Sequence, residues 1–182
     1  MNDLFHDDNK TKKELLDNIE IRKTDYNDIN DIIEIMQNNF NIKTKEFVIQ
    51  QLLFSNVFIK ESIKVIDKRD NKIYGILLLS RFNIDKGSPI KMENLELANK
   101  LSDLTQLNGF AFVIDKRLRN TKIDKEILNF NKEYIDKFDF IWCAVDKSLK
   151  SQNYWKRLGF EEIININEAN FYIKFNNANI YL

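Results

Sequence analysis

Cysteine, histidine, proline and glycine are all scarce in this chain. Its 182 residues include one cysteine, Cys143, one histidine, His6, one proline and four glycines. A single cysteine cannot close an intrachain disulfide, and with one histidine it cannot build a thiolate–imidazole metal cluster. An excess of charge of one sign is also missing. Lys plus Arg number 28 and Asp plus Glu number 28, so the net charge is zero. A dedicated nucleic-acid binder carries surplus positive charge to replace counterions, and a membrane-surface protein shows a basic amphipathic face. Neither bias is present, so no nucleic acid and no membrane are expected as partners. No apolar run approaches the roughly 20 residues that span a bilayer. Met1 to Lys13 is polar and mixed in charge, unlike a secretory signal. The expectation is a cytoplasmic protein without a metal.

Apolar residues, by contrast, are plentiful. At 43% hydrophobic and 12% aromatic, the chain can bury enough surface to offset the entropy of ordering. Residues 1–18 read as a polar lead-in with one helical turn near Lys13 to Asp17. Residues 19–182 read as a single domain with an insertion at about 85–106. Ile19, Ile21 and Lys23 alternate with polar neighbours as a strand does. Asp25 or Asn27 can cap the next helix, in which Ile29, Ile32, Ile33, Met36 and Phe40 recur at helical spacing. A second helix is expected from about Thr44 to Asn56.

Ile63 to Asp67 and Ile73 to Phe82 form the arms of a hairpin around a polar turn. Gly75 inside it either relieves crowding or marks a bulge. Met92, Leu95, Ala98, Leu101 and Leu104 recur three apart and predict a helix. Packing on its own domain is the simpler reading of this helix; covering an acceptor site or docking on a partner chain are the others. Asn108 to Ile114 is a nearly continuous apolar run, as in a buried strand. Ile123, Ile127, Phe130, Tyr134 and Phe138 mark another helix. Phe140 to Val145, which holds Cys143 as a core residue, is the next buried strand. A short helix from Ser148 to Leu158 stops at Gly159, and Phe160 to Ile166 and Phe171 to Phe175 finish as strands. This order predicts a mixed α/β sheet.

Two segments bear on chemistry. Val113 to Leu128 runs from a buried strand through a few turn residues into an amphipathic helix. The free amides and the dipole at a helix start suit an anion such as a diphosphate. Lys116, Arg117, Arg119, Lys122 and Lys125 gather positive charge there. A solvated turn in a Lys-rich protein has the same composition, so this segment alone leaves both readings open. The second segment, Ser148 to Phe160, contains Tyr154-Trp155-Lys156-Arg157-Leu158-Gly159-Phe160.

Together the two segments resemble the GNAT N-acetyltransferase superfamily. Its strand ending in Val leads into Arg-x-x-Gly-x-Gly/Ala, matched in position by Arg119, Lys122 and Asp124. Its Asn-x-x-Ala-x-x-Phe/Leu-Tyr-x-x-x-Gly-Phe pattern falls on Ser148, Ser151, Tyr154, Trp155, Gly159 and Phe160. The order of elements agrees from about Ile19 to Phe175. The resemblance implies a mostly antiparallel sheet of six or seven strands flanked by helices, with central parallel strands splayed into a cleft. It also implies an acetyl-CoA-dependent N-acetyltransferase in which a primary amine attacks the thioester directly. Acetyl-CoA is then the cosubstrate and an amine the acceptor, and a homodimer is compatible.

On this reading Phe112, Val113 and Ile114 pair with the pantetheine or polarise the thioester. Arg119, Asn120, Thr121, Lys122, Ile123 and Asp124 hold the diphosphate, and Tyr154 or Ser148 protonates the leaving thiolate. Lys122 and Asp124 stand where the family has small residues, and Trp155 stands where it has its tyrosine. Those departures motivate the alternative, a catalytically inactive binding or scaffold module on the same fold. Glu93, Asp103, Asp115 and Asp146 are candidate bases, each read more simply as a solvated surface carboxylate. Trp142 and Trp155 are read as packing residues.

Overall fold

The computed structural model describes residues 11–81, 90, 93–147, 152–166 and 169–176. In chain order the elements are α1 (Lys12–Asn18), β1 (Ile19–Lys23), a 3-10 turn (Tyr26–Asp28), α2 (Ile29–Phe40), α3 (Lys45–Phe54), a second 3-10 turn (Ile59–Glu61), β2 (Ile63–Asp67) and β3 (Ile73–Ser80). They continue as α4 (Leu95–Ser102), β4 (Gln106–Ile114), α5 (Ile123–Phe130), α6 (Lys132–Ile135), β5 (Phe140–Asp146), α7 (Gln152–Arg157), β6 (Glu161–Ile166) and β7 (Ala169–Phe175). The strands make a seven-stranded mixed sheet in the order β1-β2-β3-β4-β5-β7-β6. Among the described residues no helix is long and apolar enough to cross a membrane. The chain divides into two compact units, residues 1–79 with 111–131, and residues 80–110 with 132–182.

In the first unit, β1 runs antiparallel to β2 from Ile19 opposite Asp67 to Lys23 opposite Ile63. β2 runs antiparallel to β3, and the register shifts between Val65 and Ile66. Gly75 lies opposite Val65 at this irregularity. A Cβ on Gly75 would stand 3.2 Å from the Val113 carbonyl oxygen. Both expectations for this glycine therefore hold: it sits at a bulge and relieves crowding.

The Asp25 side chain accepts the Asn27 N–H and opens the 3-10 turn, and Asp28 reaches back to the Asp25 N–H. The capping signal read for a helix thus serves a 3-10 turn first, and α2 comes directly after it. α2 buries Ile32, Ile33, Ile35 and Met36. Lys64 on β2 holds Asp28 at 2.7 Å, both side chains being nearly buried. α3 starts at Thr44, whose hydroxyl accepts the Phe47 N–H.

The periodicity from Ile123 to Phe138 predicts one helix, but the structure has two, α5 and α6. The break is Asn131, which is buried and donates its side-chain amide to the Glu61 carbonyl at 2.7 Å. A buried amide needs a partner, and at Asn131 it finds one across 70 residues of sequence. Hydrophobic spacing carries no trace of such a contact.

In the second unit β5 is flanked by β4, parallel, and by β7, antiparallel; β6 closes on β7. The helix expected between 92 and 104 is α4. Its Ala98 and Leu101 pack with Ile90 against Phe140, Trp142, Ile166 and Ile173. Among the alternatives for this inserted segment, packing on its own unit is what α4 does. Trp142 and Cys143 are core residues, as expected. Burial pushes the Cys143 thiol well above its ordinary range, so it stays protonated and inert. β4 begins at Gln106, two residues before its apolar run, because the buried Gln106 side chain donates to the Leu101 carbonyl at 3.0 Å. A polar residue satisfied in this way no longer marks a strand boundary.

Candidate functional site

The turn between β4 and α5 belongs to the first unit. β4 ends on buried Val113 and Ile114, and the next residue, Asp115, is only 1% exposed. Its Oδ1 accepts the Arg117 backbone N–H at 2.7 Å and the Arg117 Nε at 3.0 Å. Its Oδ2 accepts Arg117 Nη2 at 2.8 Å. This two-pronged, charge-assisted pairing satisfies a carboxylate that burial would otherwise penalise. The Arg117 guanidinium also lies over the Tyr74 ring, 5.4 Å from its centre, and the Asp115 N–H donates to the Tyr74 carbonyl. Asp115 is therefore no solvated surface carboxylate. Glu93, Asp103 and Asp146 are exposed.

From Asp115 onward the turn is built by side chains. The Leu118 N–H donates to the Asp115 carbonyl at 2.9 Å. Arg119 Nε donates back to the Ile114 carbonyl at 3.0 Å. Asn120 takes the left-handed conformation with φ 58°, a region where asparagine substitutes for glycine. Thr121 Oγ1 donates to the Leu118 carbonyl at 2.6 Å and accepts the Ile123 N–H at 3.3 Å. Lys122 is exposed and pairs with Glu126 one turn on, at 3.2 Å. Ile123 and Asp124 are buried in the first turn of α5, where a carboxylate is favoured by the helix dipole.

The nine residues read as a coenzyme site fall in two stretches. Phe112, Val113 and Ile114 close β4, with Phe112 half-buried and the other two buried. In the turn, Arg119, Asn120 and Lys122 are exposed, Thr121 is half-buried, and Ile123 and Asp124 are buried. The turn brings Arg119 back onto Ile114 and Thr121 onto Ile123. The amides of Arg119 and Ile123 already have partners in the turn, the Lys116 carbonyl and Thr121 Oγ1.

The second unit holds the other candidates. The parallel register of β4 with β5 comprises three pairs, Gln106 with Phe140, Leu107 with Ile141 and Asn108 with Trp142. Both strands then continue, and β5 keeps its pairing with β7 from Phe140 to Asp146. At the last parallel pair the buried Asn108 side chain accepts from Ser80 Oγ at 2.9 Å and donates to the Trp142 carbonyl at 3.3 Å. Ala144, two residues further along β5, is exposed although it lies within a central strand.

Tyr154 is half-buried in α7, with the Arg157 guanidinium 6.0 Å from its ring centre. Trp155 packs edge-on against Phe160 at 5.3 Å and stacks on Tyr172 at 6.4 Å. It is a packing residue, as read from the sequence. Gly159 sits just beyond at φ 84°, the left-handed cap expected of it. Ser148 and Ser151 lie outside the described residues. Among the described residues no group of three or more His, Cys, Asp or Glu is placed to hold a metal ion.

A repeat in the sequence marks a feature that hydrophobic spacing misses. Val-Ile-Asp-Lys-Arg occurs twice, at 65–69 and at 113–117. In each copy the aspartate is buried and takes the arginine two residues on. Repetition of an Asp-x-Arg at two strand ends would have pointed to Asp115 and Arg117 as a built feature.

No protein-family profile matches the chain, and no curated protein matches it by sequence. Solved structures do match in fold. Arabidopsis thaliana NAA60 in complex with acetyl-CoA is similar at 14% identity and a TM-score of 0.63, over 86% of this chain and 99% of that one. FeeM, an N-acyl amino acid synthase from uncultured soil microbes, is similar at 14% identity and a TM-score of 0.63, over 87% of this chain and 91% of that one. The PaiA N-acetyltransferase from Thermoplasma acidophilum in complex with coenzyme A is similar at 13% identity and a TM-score of 0.58, over 86% of this chain and 98% of that one. With its seven-stranded mixed sheet, one parallel pair among the described residues and flanking helices, the chain has the fold of the GNAT acetyltransferases.

Proposed function

We propose that this protein is an acetyl-CoA-dependent N-acetyltransferase that acts in the cytoplasm on a primary amine. The observation that carries the reading is the end of the β4–β5 register after Asn108 and Trp142. Where a parallel register stops, an extended chain of another kind can act as strand partner. The two amides of pantetheine are such a partner, in the manner of strand addition. Structural neighbours solved with coenzyme A or acetyl-CoA support the same ligand.

In this reading the main chain of Phe112, Val113 and Ile114 serves the pantetheine, and one of its amides polarises the thioester carbonyl. The turn from Arg119 to Asp124, through Asn120, Thr121, Lys122 and Ile123, serves the diphosphate. The amine lone pair attacks the thioester carbon, a C–N bond forms, the C–S bond breaks, the thiolate leaves, and the nitrogen gives up one proton to water. Tyr154 or Ser148 supplies the thiolate's proton. Holding amine and thioester together provides much of the acceleration.

Calorimetry with acetyl-CoA tests the reading. Micromolar binding is expected, and Lys122→Glu should weaken it several-fold by reversing a charge beside the diphosphate. No heat of binding at millimolar acetyl-CoA would overturn it. A second reading, an inactive binding module, is favoured by Trp155. That indole occupies the family tyrosine's position and cannot act as an acid. Turnover of acetyl-CoA with any member of an amine panel excludes this second reading.

A further inference from the structure

The repeated Val-Ile-Asp-Lys-Arg string makes the same object twice in the first unit. At the first copy, Asp67 Oδ1 accepts the Arg69 N–H at 2.9 Å and Arg69 Nε at 3.0 Å, and Oδ2 accepts Nη2 at 2.6 Å. At the second, the corresponding distances to Asp115 are 2.7, 3.0 and 2.8 Å. Both aspartates are buried. The two clamps open onto different structures. The first leads into the β2–β3 hairpin: the Asp67 N–H donates to the Lys72 carbonyl, and Arg69 also holds Glu14 of α1. The second leads into the turn of Arg119 to Asp124. There the Asp115 carbonyl receives the Leu118 N–H, Arg119 reaches back to Ile114, and Thr121 ties Leu118 to Ile123.

The turn is anchored at the clamp, because the Leu118 N–H donates to the carbonyl of Asp115 and Thr121 in turn donates to the carbonyl of Leu118. A turn that contains no glycine samples less backbone space than one with glycines. A turn shaped before binding avoids the ordering cost that subtracts from affinity.

We propose that Asp115 and Arg117 are positioning residues for the coenzyme diphosphate, the clamp setting the geometry of the Arg119 to Asp124 turn before the ligand arrives. The proposal rests on the acyl-CoA reading of this protein. The twin clamp at Asp67 and Arg69 supplies its internal control, since it has the same chemistry and leads into the β2–β3 hairpin.

The test measures binding of coenzyme A by calorimetry and of pantetheine, which lacks the diphosphate, by ligand-detected NMR, alongside thermal unfolding. Arg117→Gln is expected to weaken coenzyme A binding about tenfold and to leave pantetheine binding within about twofold, the diphosphate share of the affinity being the part lost. Arg69→Gln is expected to lower the unfolding temperature as well, yet to leave both affinities within about twofold. Arg117→Lys keeps the charge but loses the fork. It should show the same selective loss in a chain that folds if the Gln variant does not. Coenzyme A affinity unchanged in both Arg117 variants would overturn the proposal, as would equal loss of both ligands or an equal effect from Arg69→Gln. If the parent protein binds no coenzyme A, the acyl-CoA reading itself falls and the clamp loses its ligand with it.

Discussion

At the scale of single residues, burial decides which side chains are available for chemistry. The Cys143 thiol is surrounded by apolar neighbours in β5, and desolvation raises its pKa above the ordinary value of 9.0. The unfolded chain therefore gives up this proton at lower pH than the native one. By linkage, the thiol's contribution to stability is complete below about pH 9.0 and declines above it. An aromatic disulfide reagent at pH 8 should label Cys143 only as fast as the protein opens. Labelling at the rate of a free thiol without denaturant would contradict this.

Gly75 is a second residue-scale case. Its absent Cβ leaves room for the Val113 carbonyl at 3.2 Å and for Ile114 and Val65 at 3.4 Å. The nearest of these atoms is backbone and cannot swing aside. Gly75→Ala should cost about 1–3 kcal/mol, read as a lower urea midpoint at constant slope. An unchanged midpoint would show that β3 yields without strain. The need for a small residue at Gly75 was legible in the sequence. Asp115 was not, because an aspartate beside lysine and arginine has the composition of a solvated turn. Only its 1% exposure separates the two cases.

At the scale of elements, hydrophobic spacing identified helices better than it identified their faces or their ends. α4 was legible from Leu95, Ala98 and Leu101, but its packing partners were not, since Phe140, Trp142, Ile166 and Ile173 arrive from distant sequence. Leu101 is fully buried there. Leu101→Ala should cost about 2–5 kcal/mol in equilibrium unfolding. A cost near zero would mean that α4 is a detachable cover. α3 shows the opposite limit. Its apolar residues surround the helix, so periodicity could not say that Val48 turns inward while Leu53 and Phe54 are each 72% exposed. The divided helix at Asn131 has the same logic: its partner is the Glu61 carbonyl, and pattern along a helix is blind to it.

At the scale of the whole molecule, a ligand that binds the native state alone raises stability by mass action. Acetyl-CoA at a hundred times its dissociation constant would add about 2.7 kcal/mol. For a chain of this size each kcal/mol shifts the unfolding temperature by roughly 2–4 °C. A rise of several degrees in a thermal scan is expected with acetyl-CoA and should be absent with pyrophosphate at the same concentration. Equal rises with both would point to a general anion effect. The balanced charge of the chain argues against such an effect, since 28 cationic residues meet 28 anionic ones.

The sequence by itself determined the order of the strands and of most helices, the buried character of β4 and β5, and the turn between β4 and α5. These are local matters, written in alternation, helical spacing and the run of apolar residues. Tertiary structure alone decided that Asp115 is clamped rather than solvated and that Asn131 breaks a helix. It also decided that the β4–β5 register ends at Asn108 and Trp142. Each of these turns on a buried polar group that must find its partner, and the partner is fixed by how the chain returns on itself. A scarcity of glycine was visible from the start. Only the folded chain showed how Asp115, Arg117, Asn120 and Thr121 shape the turn without it.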